Sequence, residues 1–233
     1  MPNLPVFNFR FGQQAQAMID RLSEIPLFAE LAEPDLRELA SHAITRSFPK
    51  NAIILNEGDQ TGSLYIILSG RIRVFVSDDD GKEAILSIEG PGEYFGEMML
   101  DEGPRSASVI ALEPCKLCVL EGKAFKAFLL KKPEIALHLI QNLIKRTRIL
   151  TKSVKSLALL DVYGRVARLL LDLAEEQDGR LVIGERLTQQ DIASRVGASR
   201  EMISRILKDL VTGGYISMEG KNIYLNKQPP KHW

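Results

Sequence analysis

The sequence predicts an α+β chain: an N-terminal β-roll of the jelly-roll kind with flanking helices, one long helix, and a C-terminal winged helix-turn-helix. Three observations predict it. Short β-rich runs broken by Gly and Asp fill residues 47–120. Residues spaced alternately four and three apart, apolar except for Thr147, run from Ala136 to Leu157. Two short capped helices joined by a Gly turn precede a pair of alternating strands at 188–225.

The bulk numbers agree with this division. A chain of 233 residues holds one large domain or two ordinary ones. Apolar content of 45% and charged content of 26% are those of a soluble globular protein. The formal net charge is zero, but it is unevenly spread. Residues 1–133 carry 14 Lys+Arg against 19 Asp+Glu, and residues 134–233 carry 16 against 11. The basic back is where a polyanion would bind; ordinary scatter is the bland alternative. No apolar run reaches the roughly 18 residues of a membrane span, so no membrane partner is expected. Met1-Pro2-Asn3 has no basic stretch followed by an apolar one, so no signal peptide is expected, and two cysteines build no disulfide framework. A cytoplasmic protein is expected.

In chain order, residues 12–47 read as helical, with Pro34 opening a second helix whose apolar face is Leu36, Leu39 and Ala40. Strands follow at Ile53–Leu55, Leu64–Leu68, Ile72–Val76, Ile85–Ile88, Ser108–Ala111 and Leu117–Leu120. Asp78-Asp79-Asp80-Gly81 is a hairpin turn, not a calcium loop, since the rest of that ligand pattern is missing. Strands at this spacing form a sandwich or barrel.

Residues Pro133 to about Leu160 read as one helix with a seam at Ala136, Ile140, Leu143, Thr147, Leu150, Val154 and Leu157. The spacing is that of a two-helix seam between subunits; a long core helix is the alternative. Lys145, Arg146, Lys152 and Lys155 lie off the seam. Residues 161–174 read as helix, Asp178-Gly179 as a turn, Leu181-Val182-Ile183 as a strand, and 215–225 as a hairpin wing. The tail, 226–233, has two prolines and no periodicity. The domains expected are 1–132, 133–160 and 161–233.

The densest local signal is Thr188 to Leu207. Thr188 caps a first helix with Asp191 at its third position, Gly197 makes the turn, and Ser199 caps a second helix. At about 100° per residue, Arg200, Glu201, Ser204 and Arg205 share one arc of the second helix. Met202, Ile203, Ile206, Leu207 and Leu210 share the complementary arc. Arginine suits guanine O6 and N7, and a carboxylate accepts from cytosine N4. Double-stranded DNA is the partner this face fits, with Thr188, Gln190 and Ser199 beside it; a solvated Arg/Glu face is the alternative.

A second constellation lies in the β-rich part. Gly96 precedes a short turn whose backbone N–H groups can approach an anion. Arg105 supplies a fixed charge for a phosphate, Ser106 a hydroxyl, and Glu97 an acceptor for sugar hydroxyls.

With these stretches on the page, the chain resembles the CRP/FNR family of bacterial-type transcription regulators from about Leu27 to Leu225. The specific matches are Phe95-Gly96-Glu97, Pro104-Arg105-Ser106-Ala107, Leu157 to Arg165, and Ser199-Arg200-Glu201 with Arg205. The resemblance implies a cyclic-nucleotide-binding β-roll whose cassette is Gly96, Glu97, Met98, Arg105 and Ser106. It implies a homodimer, RNA polymerase as a partner, and a palindrome similar to TGTGA-N6-TCACA read by Arg200, Glu201 and Arg205. No cofactor is implied, only an effector: cyclic AMP or cyclic di-GMP. The family is not enzymatic, and no nucleophile-base pair accompanies Glu97 and Arg105.

Three features depart from the family pattern. The segment between Glu97 and Arg105 is shorter than usual. Where cyclic-AMP responders carry a threonine-serine pair on the dimer helix, alignment places Leu150 and Thr151. Leucine cannot bond the adenine amine, at a cost of roughly 1–3 kcal/mol. The loop Gln177-Asp178-Gly179-Arg180 is shorter than the family's polymerase-contacting loop, which argues against activation through that surface. Arg148, on the same helix, can stack on a guanine or simply be solvated. A ligand-independent regulator with the cassette kept as scaffold is the rival reading. Cys115 and Cys118 sit three apart in a strand and so face opposite sides; His42, His138 and His232 are scattered, and no metal site is expected.

Overall fold

The computed structural model describes residues 6–60 and 62–229, with side chains from residue 15 onward. Met1-Pro2-Asn3, His232 and the rest of 230–233 lie outside the described residues. The chain divides into two compact units, 1–76 with 86–144 and 77–85 with 145–233, so that one division falls inside a long helix, between Ile144 and Lys145.

The first unit opens with α1 (Val6–Ser23) and α2 (Glu33–Ser41). Pro34 stands in the first turn of α2, where its missing N–H costs nothing. Leu36 and Leu39 are buried and Ala40 packs beside them, the face expected. The strands are β1 (Ala43–Phe48), β2 (Ile53–Leu55), β3 (Ser63–Ser69), β4 (Ile72–Ser77), β5 (Glu83–Glu89), β6 (Tyr94–Phe95), β7 (Ser108–Ala111) and β8 (Cys115–Glu121). They form two four-stranded sheets, ordered β1-β8-β3-β6 and β2-β7-β4-β5. The turn at Asp78–Gly81 closes as expected, with Gly81 N donating to Asp78 O at 3.0 Å.

The central strands of the first sheet, β3 and β8, are buried on both faces. Leu64, Ile66, Cys118 and Leu120 face a core shared with the helices. Tyr65, Ile67, Leu117 and Val119 face the core between the sheets. This two-sided burial is why β3 reads as a continuous apolar run rather than an alternation. Cys115 and Cys118 fall in different cores, as a spacing of three in a strand requires.

Two expectations need correcting. Residues 12–47 are not helical throughout: 24–32 form turns between α1 and α2, α2 stops at Ser41, and β1 pairs antiparallel with β8, Ala43 opposite Leu120. Strand β1 is an edge strand, exposed through Ile44 to Ser47, so it lacks the alternation that would have marked it. Helix α3 (Gly122–Lys131), which buries Phe125 and Phe128, and the two-residue strand β6 were not foreseen.

Helix α4 runs Pro133–Leu159, close to the expected span. Its seam is more complicated than one stripe. Ile135 and Leu139 are buried in the first unit's core, and Leu143 packs partly against it. The large apolar residues left exposed on α4 are Leu137, Ile140, Ile144, Ile149, Leu150, Val154, Leu157 and Leu159.

The second unit holds the rest of α4, then α5 (Val162–Leu173), β9 (Glu175–Gln177), β10 (Arg180–Ile183), α6 (Gln189–Val196), α7 (Arg200–Thr212), β11 (Ile216–Glu219) and β12 (Asn222–Leu225). Asp161 caps α5, accepting from Gly164 N at 2.7 Å. The sheet order is β11-β12-β10-β9. Asp178 and Gly179, at φ 51° and 75°, join β9 to β10 in a two-residue turn of the hairpin type, so the short loop read from sequence is a tight one. Strand β9, all exposed, was not foreseen. Leu170, Ile192, Ile203, Leu210 and Ile216 are completely or almost completely buried in the core that binds these elements.

Candidate functional site

In the first unit, Gly96 adopts φ 85° and hands the chain to a single tight helical turn, Glu97–Leu100. Glycine is needed here twice over. The left-handed backbone excludes most side chains. A Cβ would also stand 2.9 Å from both Arg105 Nη1 and the Ser63 carbonyl. Met99 points into the core while Met98 is exposed.

Arg105 is 4% exposed. A buried guanidinium must be bonded, and this one is: Nη1 donates to Gly96 O at 2.6 Å and Nη2 to Ser63 O at 2.7 Å. Its backbone is pinned as well, Arg105 N donating to Asp59 O at 2.9 Å and Gly58 N to Arg105 O at 2.8 Å. Burial pulls its pKa below the ordinary arginine value, partly offset by Tyr65, Glu97 and Asp59. Glu97 is half-buried and Ser106 exposed. The structure therefore brings Gly96, Glu97 and Arg105 together, with Ser106 adjacent in sequence. It adds Ser63, whose carbonyl acts from 42 residues away, a contact no local pattern announces.

Of the residues expected on α4, Arg148, Leu150 and Thr151 are exposed. The Thr151 hydroxyl donates to the Thr147 carbonyl at 2.9 Å, one turn back.

The second unit builds the other constellation. Thr188 accepts from Asp191 N at 3.1 Å while Asp191 accepts from Thr188 N at 2.9 Å, a reciprocal cap that fixes the start of α6. Gly197 ends α6 at φ 66°. Ser199 caps α7, accepting from Met202 N at 3.2 Å. These caps and the Gly197 turn fix where each helix begins and ends from sequence-local chemistry. Ile203, Ile206, Leu207 and Leu210 are buried, and Arg200, Glu201, Ser204 and Arg205 are exposed together. The face read on the wheel is the face presented. Hydrogen bonds from its own backbone N–H and from Ser199 hold the Glu201 carboxyl below the usual range.

Three further polar residues of this unit, not singled out from sequence, bear on the candidate site. Lys208 continues the exposed arc one turn beyond Ser204. Lys221 lies at the wing's turn, beside Gly220 at φ 63°. Gln189 reaches from α6 to Ser204, while the expected Gln190, though exposed, turns its amide toward Ser194 at 3.3 Å. Lys208 was legible on the wheel; the Gln189 contact spans 15 residues and was not.

The geometry is that of a β-roll with a buried, hydrogen-bonded arginine beside a left-handed glycine turn, and of a winged helix-turn-helix with an exposed polar face on its second helix. Residues 45–132 match the cyclic nucleotide-binding domain, and residues 164–228 match the Crp-like helix-turn-helix domain. The chain is 36% identical over 199 residues to a cAMP-activated global transcriptional regulator CRP of Pasteurella multocida, covering 82% of this chain and 94% of that protein. A CRP-like cAMP-activated global transcriptional regulator of Mycobacterium tuberculosis is 35% identical over 184 residues, 77% of this chain and 82% of its own. Among solved structures, the c-di-GMP responsive global regulator CLP of Xanthomonas campestris superposes with a TM-score of 0.73 at 28% identity, over 84% of this chain and 100% of that one. This chain belongs to the CRP/FNR family of transcription regulators. It is a DNA-binding regulator with a cyclic nucleotide-binding domain, not an enzyme. Among the described residues, no helix is long and apolar enough to cross a membrane.

Proposed function

We propose that the chain acts as a homodimer whose affinity for a palindrome similar to TGTGA-N6-TCACA is set by a cyclic nucleotide. Its working parts are the cassette domain 1–132, the dimer helix 133–160 and the DNA-binding domain 161–233. The observation that carries the effector half is Arg105, buried and oriented by one hydrogen bond to the carbonyl of the left-handed Gly96 that opens the cassette turn and a second to the Ser63 carbonyl. A guanidinium already oriented by the fold needs no further ordering to meet a phosphate. The candidate ligands are cyclic AMP and cyclic di-GMP, the signals named for the relatives in Pasteurella and Xanthomonas. Leu150 in place of a hydroxyl weakens the case for adenine, and Arg148 offers a surface for guanine.

Calorimetric titration with cyclic AMP, cyclic GMP and cyclic di-GMP tests it. Micromolar or tighter binding of one, lost in Arg105→Ala, is the expected result. Binding of none overturns the effector assignment.

The homodimer rests on the apolar stripe left exposed along α4, including Ile140, Leu150, Val154 and Leu157. An Ile140→Lys/Val154→Lys double variant is expected to sediment as a monomer and to lose operator affinity. With recognition helices about one DNA turn (~34 Å) apart, a dimer spans both half-sites; a monomer reaches one.

One observation favours a second reading. Both terminal nitrogens of Arg105 already have carbonyl partners, so the cassette is held together without an anion. Under that reading the effector is dispensable. Tight operator binding by ligand-stripped protein, unchanged on adding each cyclic nucleotide, would establish it.

A further inference from the structure

The exposed face of α7 mixes groups that can only donate, Arg200 and Arg205, with one that only accepts, Glu201. Ser204 lies between them on the wheel, and a free hydroxyl is ambiguous, able to donate or accept. Gln189 removes the ambiguity. It stands at the first turn of α6, half-buried, its backbone fixed by the Thr188–Asp191 cap. Its amide Nε2 donates to Ser204 Oγ at 3.5 Å. An oxygen that accepts from Gln189 keeps its hydrogen for an outward bond.

We propose that Gln189 is a positioning residue for DNA specificity: it orients the Ser204 hydroxyl as a donor, so that this point of the recognition face selects a base edge offering an acceptor. The acceptor edges of the major groove are guanine O6 and N7, adenine N7 and thymine O4. The inference rests on the reading of α7 as the recognition helix and adds to it a residue outside that helix. The neighbouring Gln190 has no such role, because its amide is turned to Ser194 within α6.

The test uses the full chain, with saturating cyclic AMP and separately cyclic di-GMP, against duplexes based on TGTGA-N6-TCACA in which each half-site position carries each base pair in turn. Ser204→Ala is expected to flatten the preference at one base pair by roughly threefold to tenfold, the worth of one hydrogen bond. Gln189→Ala should flatten the same pair, and the double variant should do no more than either single one. Gln189→Glu is the sharper probe. A carboxylate there accepts the Ser204 hydrogen and turns the oxygen lone pairs outward, so preference at that pair should swing toward a base offering an amine, adenine or cytosine. Thermal unfolding of each variant guards against a folding defect.

The proposal is overturned if Gln189→Ala and Gln189→Glu leave the preference at the Ser204 pair as in the parent. It is overturned equally if they weaken binding uniformly across all sequences, the mark of a phosphate contact. Arg200→Ala separates the two levels. If Arg200→Ala leaves half-site discrimination untouched, the recognition-helix reading fails. If it shifts discrimination while the Gln189 variants do not, only the orienting role of Gln189 fails.

Discussion

Arginine is used in opposite ways by the two units. In the cassette, Arg105 is buried, desolvated and tied to two backbone carbonyls. On the recognition helix, Arg200 and Arg205 are exposed, held in place by the helix that carries them. The first guanidinium is part of the fold before any ligand arrives. The second pair is exposed and contributes little to the fold. The contrast separates residues whose loss unfolds something from residues whose loss only blinds it.

The sharpest way to break that contrast is at Arg105. Arg105→Ala strands the Gly96 and Ser63 carbonyls as well as removing the charge, and is expected to cost about 2–4 kcal/mol of stability. Urea titration of the first unit should show the loss, and calorimetry should show effector binding abolished. Gly96→Ala comes next. A positive φ combined with a Cβ crowding Arg105 and Ser63 should cost about 1–3 kcal/mol, with the same loss of binding. Arg200→Ala should behave in the opposite manner. Stability should move by less than about 0.5 kcal/mol, while discrimination at an outer G·C pair falls by about 1–3 kcal/mol in competition assays. Thr188→Ala bridges the two classes: loss of the reciprocal cap should cost about 1 kcal/mol of stability and a comparable part of operator affinity. The smallest effect is expected at the wing. Lys221→Ala should weaken all sequences alike and lower the slope of log affinity against log salt by about 1.

The same contrast explains what could be read in advance. The helix-turn-helix was legible because each of its determinants is local. Thr188 and Asp191, Gly197, and Ser199 each act within a few residues, and the face of α7 follows from helical periodicity. The cassette residues were legible as residue types, but not their arrangement. That Arg105 bonds Ser63, or that Gly58 and Asp59 pin its backbone, depends on chain segments brought together from more than 40 residues away. Edge strand β1 escaped for a related reason: most of it faces water, so burial printed no alternation on its sequence. On α4 the difficulty was the reverse. Its front half carries two apolar faces, one for Ile135 and Leu139 inside the unit and one exposed at Leu137, Ile140 and Ile144. A single seam drawn through Ala136 and Leu143 merges them.

The two cysteines turn the layered β-roll into its own reporter. Cys118 lies in the core beneath the helices, where burial pushes its thiol up to about 12; Cys115 lies in the core between the sheets and is also raised. Neither thiol reacts readily at neutral pH while its layer stays shut. The rate at which each takes up an alkylating label is therefore a clock for the opening of one layer. Equal rates would mean that helices and sheets come apart as one cooperative body. Unequal rates would reveal which layer loosens first, and adding an effector would show which layer it holds closed.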